Sequence, residues 1–116
     1  SNSIFTREGE HLFINAPIDL YTAVNGGSIE VPSPDGKKIR ISVSAGTQNG
    51  KRFRLRGKGM PILQTRSFGD LYVEAELETP VNLTNKQKKL IADFSESLSE
   101  SNTPRVKKFK SFLNNY

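Results

Sequence analysis

Three segments of this chain alternate apolar and polar residues with a period of two, and this alternation limits the possible folds more than any other feature. The segments are residues 38–43, 51–56 and 71–79. Successive side chains of a β-strand point to opposite faces of a sheet, so each segment predicts a strand with one buried and one solvated face. We therefore expect a mainly β protein whose apolar faces pack together.

Two more segments, residues 10–16 and 28–31, have a strand pattern, and the first places Leu12, Ile14 and Ala16 on one face. A Pro-Asp-Gly turn sequence follows the second segment and predicts a hairpin with the next strand.

A short helix is predicted between these two strands. Asp19 is placed to accept a hydrogen bond from a free amide at the start of this helix. Gly26 and Gly27 are suited to ending it, because glycine adopts positive φ without steric cost.

The last third of the chain predicts two helices. Thr84 and Gln87 fit a capping box, which starts a helix that runs to about Leu98. Residues 99–103 form a polar linker, and Pro104 begins a second helix because proline suits a first helical turn. Each helix has an apolar face, formed by Leu90, Ile91, Phe94 and Leu98 in the first and by Val106, Phe109, Phe112, Leu113 and Tyr116 in the second.

These elements predict a twisted two-sheet β-sandwich with one short internal helix and two C-terminal helices. We expect a β-sandwich domain over residues 1–82, a docking helix over residues 83–99, and a linker with a C-terminal helix over residues 100–116. The apolar face of the docking helix should pack against the sheet or against a partner.

The composition excludes several kinds of site. The chain has no cysteine, so it has no disulfide framework, thiolate zinc site or cysteine nucleophile, and a cytoplasmic location is expected. No apolar stretch approaches the roughly 20 residues that span a bilayer, so we expect no membrane segment.

The formal net charge of +5 is concentrated at the C-terminal end. Residues 81–116 hold seven basic and three acidic side chains, which accounts for +4 of the total. A basic surface attracts nucleic acid, an anionic membrane surface or an acidic protein, and charge alone does not separate these partners.

No pattern predicts catalysis. His11 is the single histidine, and no motif places a serine nucleophile or a second metal ligand beside it. Asp19, Asp35 and Asp70 are each accounted for by a cap or a turn, and the glycine-rich loop at residues 57–61 lacks the spacing of a P-loop. We therefore expect no enzyme activity, no metal and no cofactor.

A series of short motifs resembles a known family. In chain order the motifs are Pro17-Ile18, Gly26-Gly27, Ile29-Glu30-Val31-Pro32, Asp35-Gly36, Ala45-Gly46-Thr47-Gln48, Gly50, Phe53-Arg54-Leu55-Arg56-Gly57-Lys58-Gly59-Met60-Pro61, Gly69-Asp70-Leu71-Tyr72-Val73 and Glu78-Thr79-Pro80. Over about residues 4–99, they resemble the second C-terminal β domain of DnaJ-type co-chaperones.

This resemblance implies a non-enzymatic co-chaperone module that binds unfolded client polypeptides and a second copy of itself. It also implies an indirect partner, a DnaK-type chaperone, which such proteins engage through a J domain. The sequence contains no His-Pro-Asp motif of a J domain, no Gly/Phe-rich linker and no cysteine-rich zinc region. The chain is therefore expected to be a piece of a larger co-chaperone, and not to stimulate a DnaK-type ATPase itself.

A candidate peptide-binding groove is formed by Ile14 and Ala16 with Ile29 and Val31. The groove would lie between an edge strand and the short helix, where an extended client adds as a further strand. The alternative is that these four side chains simply pack in the core.

The tail is the strongest candidate for a binding segment, and it resembles the C-terminal self-association segment of bacterial DnaJ-type proteins. A helix of about 13 residues is marginal alone in water, so its apolar face must be covered. We expect a homodimer formed through that face, with docking on the chain's own β domain as the alternative. The expected dimer residues are Val106, Phe109, Phe112, Leu113 and Tyr116.

The alternative function is single-stranded nucleic-acid binding through Arg52, Arg54 and Arg56 together with the lysine-rich tail. The sequence indicates no aromatic stacking platform on the arginine face. The glutamates of residues 71–79 are instead expected to pair with these arginines across the sheet. Nucleic acid is therefore the less favoured partner.

Overall fold

The computed structural model describes residues 4–116. The chain divides into two compact units, Ser1–Pro80 and Val81–Tyr116. We call the first the sandwich unit and the second the helical unit.

The larger sheet of the sandwich unit has four strands in the order β1-β2-β6-β5. The two central strands, β2 and β6, run parallel, and each edge strand is antiparallel to its neighbour. The strands are β1 (Thr6–Glu8), β2 (His11–Asp19), β5 (Arg52–Leu55) and β6 (Leu71–Glu78).

The second sheet is the predicted hairpin of β3 (Gly27–Pro32) and β4 (Lys38–Val43). Asp35 organises its turn, because one carboxylate oxygen accepts hydrogen bonds from the Ser33 hydroxyl and from the backbone N–H of Lys37. These bonds favour the charged form and lower the pKa of Asp35.

The core lies between the two sheets, which confirms the predicted two-sheet sandwich. Leu71 and Val73 of β6 are fully buried, and Val31 and Ile41 of the hairpin pack in the same cluster. The polar residues that alternate with them face outward, as a period of two requires.

The predicted internal helix is α1 (Leu20–Asn25), and its two ends are as expected. The Asp19 carboxylate accepts hydrogen bonds from the backbone N–H and the hydroxyl of Thr22, at 3.1 and 2.8 Å. Gly26 ends the helix with φ of 83°. A Cβ at Gly26 would lie 3.0 Å from the backbone nitrogen of Ala45. Both the positive φ and this close approach therefore favour glycine at the position.

The helical unit contains α2 (Asn85–Ser97) and α3 (Pro104–Asn114), and a short 3-10 turn, Glu100–Asn102, lies in the predicted linker. The predicted capping box of Thr84 and Gln87 is present. Neither helix has a buried residue. Within residues 4–116, no helix combines the length and apolar character needed to cross a bilayer.

The sequence pattern placed the end of β2 too early, at residue 16, whereas the strand continues through Pro17 to Asp19. In the described structure β1 pairs only with residues 11–13 of β2. Beyond residue 13, β2 has β6 as its single strand neighbour, and an edge position tolerates a proline that has no N–H to donate.

Asp70 joins β2, β5, β6 and the loop that follows β5. Its side chain is nearly buried and accepts hydrogen bonds from Nε of Arg54, at 2.7 Å, and from the backbone N–H of Gly57, at 3.0 Å. Its own backbone N–H donates to Nδ1 of His11 at 3.0 Å. The bonds from Gly57 and Arg54 favour the carboxylate and lower the pKa of Asp70.

The loop after β5 also depends on close backbone packing. A Cβ on Gly59 would lie 2.6 Å from the carbonyl oxygens of both Asp70 and Glu10, which no side chain tolerates. Gly57 in this loop has a φ of 74°, which suits glycine in a turn. Gly59 is instead required because the backbones approach so closely.

Leu71→Ala is expected to lower the free energy of unfolding by about 2 to 5 kcal/mol, because truncating a buried leucine leaves a cavity. The matched control is Leu63→Ala, at a position that is 89% exposed. The control should cost less than about 0.5 kcal/mol. Urea unfolding followed by circular dichroism measures both values, and equal losses would contradict the position of the core.

Asp70→Asn is expected to remove a part of the stability that depends on pH. Folding lowers the pKa of Asp70 below its ordinary value of 3.8, so the stabilisation is complete above that pH and is lost as the pH falls through the folded-state pKa. The difference in unfolding free energy between the parent and the variant should therefore shrink in acid. Urea unfolding across the acid range tests this, and a constant difference would refute it.

Glu74→Gln is the matched control at neutral pH, because it removes a carboxylate from an exposed ion pair with Arg52. Exposed pairs contribute little to stability, so this variant should be less destabilised than Asp70→Asn.

Candidate protein-binding surfaces

Helix α3 has an exposed apolar face, which Tyr116 extends just beyond the end of the helix. We call it the α3 stripe. Its members and their exposed fractions are Val106 50%, Phe109 63%, Phe112 61%, Leu113 52% and Tyr116 97%. The structure thus places four of the five residues of the predicted dimer contact on one face of α3. Tyr116 follows the end of the helix, and its ring centroid lies 6.0 Å from that of Phe112. The role of these residues in dimerisation stays a prediction.

Local interactions account for the start of α3. Pro104 occupies the first turn, where its missing N–H is not needed. The backbone N–H of Lys107 donates to the carbonyl of Thr103 at 3.0 Å, and its ammonium group lies 3.6 Å from a carboxylate oxygen of Glu100. The helix is therefore tied to the turn before it, although its stripe remains uncovered.

The predicted docking helix presents a second apolar face. Leu90, Ile91 and Phe94 of α2 are 59%, 45% and 50% exposed. The fourth predicted member, Leu98, is half-buried at the C-cap. What this face docks on stays a prediction.

The residues of the predicted peptide groove lie mainly in the sandwich core. Ile14, Ala16 and Val31 are only 6%, 7% and 2% exposed, and Ile29 is half-buried against the same cluster. As the chain is folded here, three of these side chains have almost no surface for a peptide. Their burial favours core packing, the alternative given above, and their role in peptide binding stays a prediction.

The hairpin strand β3 nevertheless has an open side. Within the described residues it pairs only with β4, and α1 packs near it. Tyr21 and Val24 of α1 are 72% and 44% exposed. Sequence reasoning did not assign these two residues to a surface. The signal was available, because a six-residue helix with four apolar residues cannot bury them all on one side.

The arginines of β5 are engaged by carboxylates, which partly confirms the predicted pairing across the sheet. Nε of Arg52 lies 3.1 Å from Oε1 of Glu74, as expected. Arg54 pairs with Asp70 instead of a glutamate, and its hydrogen bond to that carboxylate raises the pKa of Arg54. Both guanidinium groups therefore already have anionic partners.

The prediction that the arginine face lacks aromatic rings was wrong. Tyr72 is the cross-strand partner of Arg54 and is also paired with Phe13 on β2. The Phe13 and Tyr72 rings are stacked with centroids 5.1 Å apart. Their residues lie on different strands, and only the parallel pairing brings them together.

His11 makes contacts with two residues of the sandwich unit, Asp70 and Tyr72. Its Nδ1 accepts the Asp70 N–H, and its ring meets the Tyr72 ring edge-on with centroids 5.8 Å apart. The described residues contain no group of three or more His, Cys, Asp or Glu side chains that could hold a metal ion.

Comparisons with known proteins agree with the residue motifs. The family model described as the DnaJ C terminal domain matches residues 1–80. Three bacterial proteins named chaperone protein DnaJ are similar over most of the chain: 51% identity over 88% of it in Azorhizobium caulinodans, 46% over 99% in Roseobacter denitrificans, and 48% over 93% in Cereibacter sphaeroides. The chain spans only 26%, 30% and 28% of the length of these relatives. Because the family model covers more than half of the chain, the chain belongs to the DnaJ family and contains its C-terminal domain.

Proposed function

We propose that this chain is a non-enzymatic, cytoplasmic part of a DnaJ co-chaperone that forms a homodimer and helps to hold unfolded polypeptides. The observation that carries the proposal is the α3 stripe, in which each side chain is at least half exposed. Family membership supplies the context, since the similar proteins are named as chaperones.

Self-association follows from the physical state of α3. The helix has 11 residues, which is short for independent stability in water. Burying an apolar side chain of this size contributes about 1.5 to 3 kcal/mol, so covering several at once would stabilise both the helix and a complex. A two-fold dimer is the simplest way to cover identical stripes, because the same patch then serves on both copies.

Client holding is assigned to the open side of β3 and to the neighbouring apolar residues of α1. An extended polypeptide can bind there through main-chain hydrogen bonds, as an added strand, with its side chains against Tyr21 and Val24. Such a site would be weak in one copy. Dimerisation places two sites on one particle, and the second contact then forms at a high effective concentration.

Transfer of clients to a DnaK-type chaperone is part of the same proposal. That step would require a J domain, whose His-Pro-Asp motif is not among these 116 residues. The role proposed for this chain is therefore to join two copies and to add weak binding sites.

Phe109→Ser combined with Phe112→Ser is expected to convert a dimer to a monomer, because it removes the two largest apolar contacts from the α3 stripe. A chain that ends at Ser101 should behave in the same way. Sedimentation equilibrium measures the mass directly. Phe68→Ser is the matched control, since Phe68 is 50% exposed but lies in the sandwich unit.

The control variant should remain a dimer. If the parent chain is a monomer, or if both altered tails leave the dimer intact, the assignment of the α3 stripe to dimerisation is wrong.

Loss of dimerisation is expected to weaken binding to a long unfolded polypeptide by about 100-fold, within the range for two linked weak sites. The measurement is fluorescence anisotropy with a reduced, carboxymethylated protein that cannot fold. A short peptide that fills one site is the control ligand, and it should bind the parent and the Phe109→Ser/Phe112→Ser variant equally. If the long polypeptide also binds both proteins equally, the two-site proposal fails.

A further inference from the structure

Two of the four positive charges of α3 lie on the borders of its apolar stripe. At about 100° per residue, the stripe covers about 120° of the helix circumference. Lys108 falls just beyond one border and Lys110 just beyond the other. Lys108 and Lys110 therefore frame the apolar surface, whereas Arg105 lies within the angular range of the stripe at its N-terminal end.

These cations have few anionic neighbours. Residues 104–116 contain four basic side chains and no Asp or Glu. Of the four, only Lys107 makes an ion pair with another described residue, Glu100. Lys108 and Lys110 lie on the exposed surface and have no such partner among residues 4–116.

The apolar residues are of the kind that suits a lipid headgroup boundary. Phe109, Phe112 and Tyr116 supply rings that can enter the acyl region, and the Tyr116 hydroxyl can stay in the wet layer. The lysine stems can lie along the apolar surface while their ammonium groups reach out to phosphate or carboxylate headgroups.

We propose that α3 is also a peripheral membrane-binding helix, which lies in the surface of an anionic bilayer with its stripe inserted. A second copy of α3 can cover the stripe but leaves Lys108 and Lys110 without anionic partners, whereas anionic lipids neutralise both lysines and cover the stripe at the same time. A nucleic acid would satisfy the cations but leave the apolar residues in water. The bilayer and the second copy therefore compete for one face.

The test uses the full chain with Phe109→Trp. The chain has no tryptophan, so this single indole reports on the stripe alone. Equimolar phosphatidylserine and phosphatidylcholine vesicles should shift its fluorescence to the blue, and phosphatidylcholine vesicles alone should not. Raising the salt from about 0.1 M to about 1 M shortens the screening length from about 10 Å to about 3 Å and should release the protein.

Lys108→Gln combined with Lys110→Gln, in the same tryptophan background, should weaken vesicle binding by about 25-fold, at about fivefold per lysine near the surface. The matched control is Lys86→Gln with Lys88→Gln, which removes the same charge from α2 and leaves the border lysines of α3 in place. The control should change binding by less than about twofold, because charges away from the lipid surface are screened.

Three vesicle results would each overturn the proposal: no blue shift with phosphatidylserine vesicles, equal binding to both vesicle types, or equal losses in the two lysine variants. Binding of a single-stranded RNA with no vesicle binding would also overturn it and would favour the nucleic-acid alternative. Sedimentation without vesicles tests the dimer separately. Vesicle binding by a chain that never dimerises would leave this inference standing while the proposed dimer fails.

Discussion

The hydrogen bonds around Asp70 set the geometry on which the sandwich unit depends. The Asp70 carbonyl accepts the N–H of Leu12 at 2.9 Å, and the Asp70 N–H donates to the His11 ring, so β6 begins at a defined position beside β2. Its carboxylate meanwhile holds Arg54 and the turn at Gly57. One residue therefore aligns both neighbours of β6. That alignment brings the inward-facing residues of the large sheet under the hairpin, where the core forms.

The two units differ in how far their apolar residues are buried. The sandwich unit encloses a core between two sheets, whereas neither α2 nor α3 has a buried residue. The sandwich unit is thus a folded scaffold that also exposes Tyr21 and Val24, whereas the helical unit exposes the apolar faces of α2 and α3. The basic charge collected in residues 81–116 adds an electrostatic preference to these faces.

Sequence patterns predicted most elements here because alternation, capping and turn residues act over a few positions. The sandwich class, the hairpin, the cap at Asp19 and the capping box at Thr84 all follow from such local signals. The same patterns do not report which strands pair, so the parallel contact of β2 with β6 and the stack of Phe13 on Tyr72 were not foreseen. They also do not report whether an apolar face is covered. This is why Ile14 and Val31 suited both a groove and a core.

The parallel pairing of β2 with β6 also has a consequence for synthesis on the ribosome. The two strands meet through His11 and Asp70, which are 59 residues apart in the chain. At typical synthesis rates of roughly 5 to 20 residues per second, β2 waits about 3 to 12 s before its partner is made. During that interval an apolar strand is present without the neighbour that covers its edge. The sandwich unit thus passes, in its own synthesis, through a state in which part of its future core is exposed.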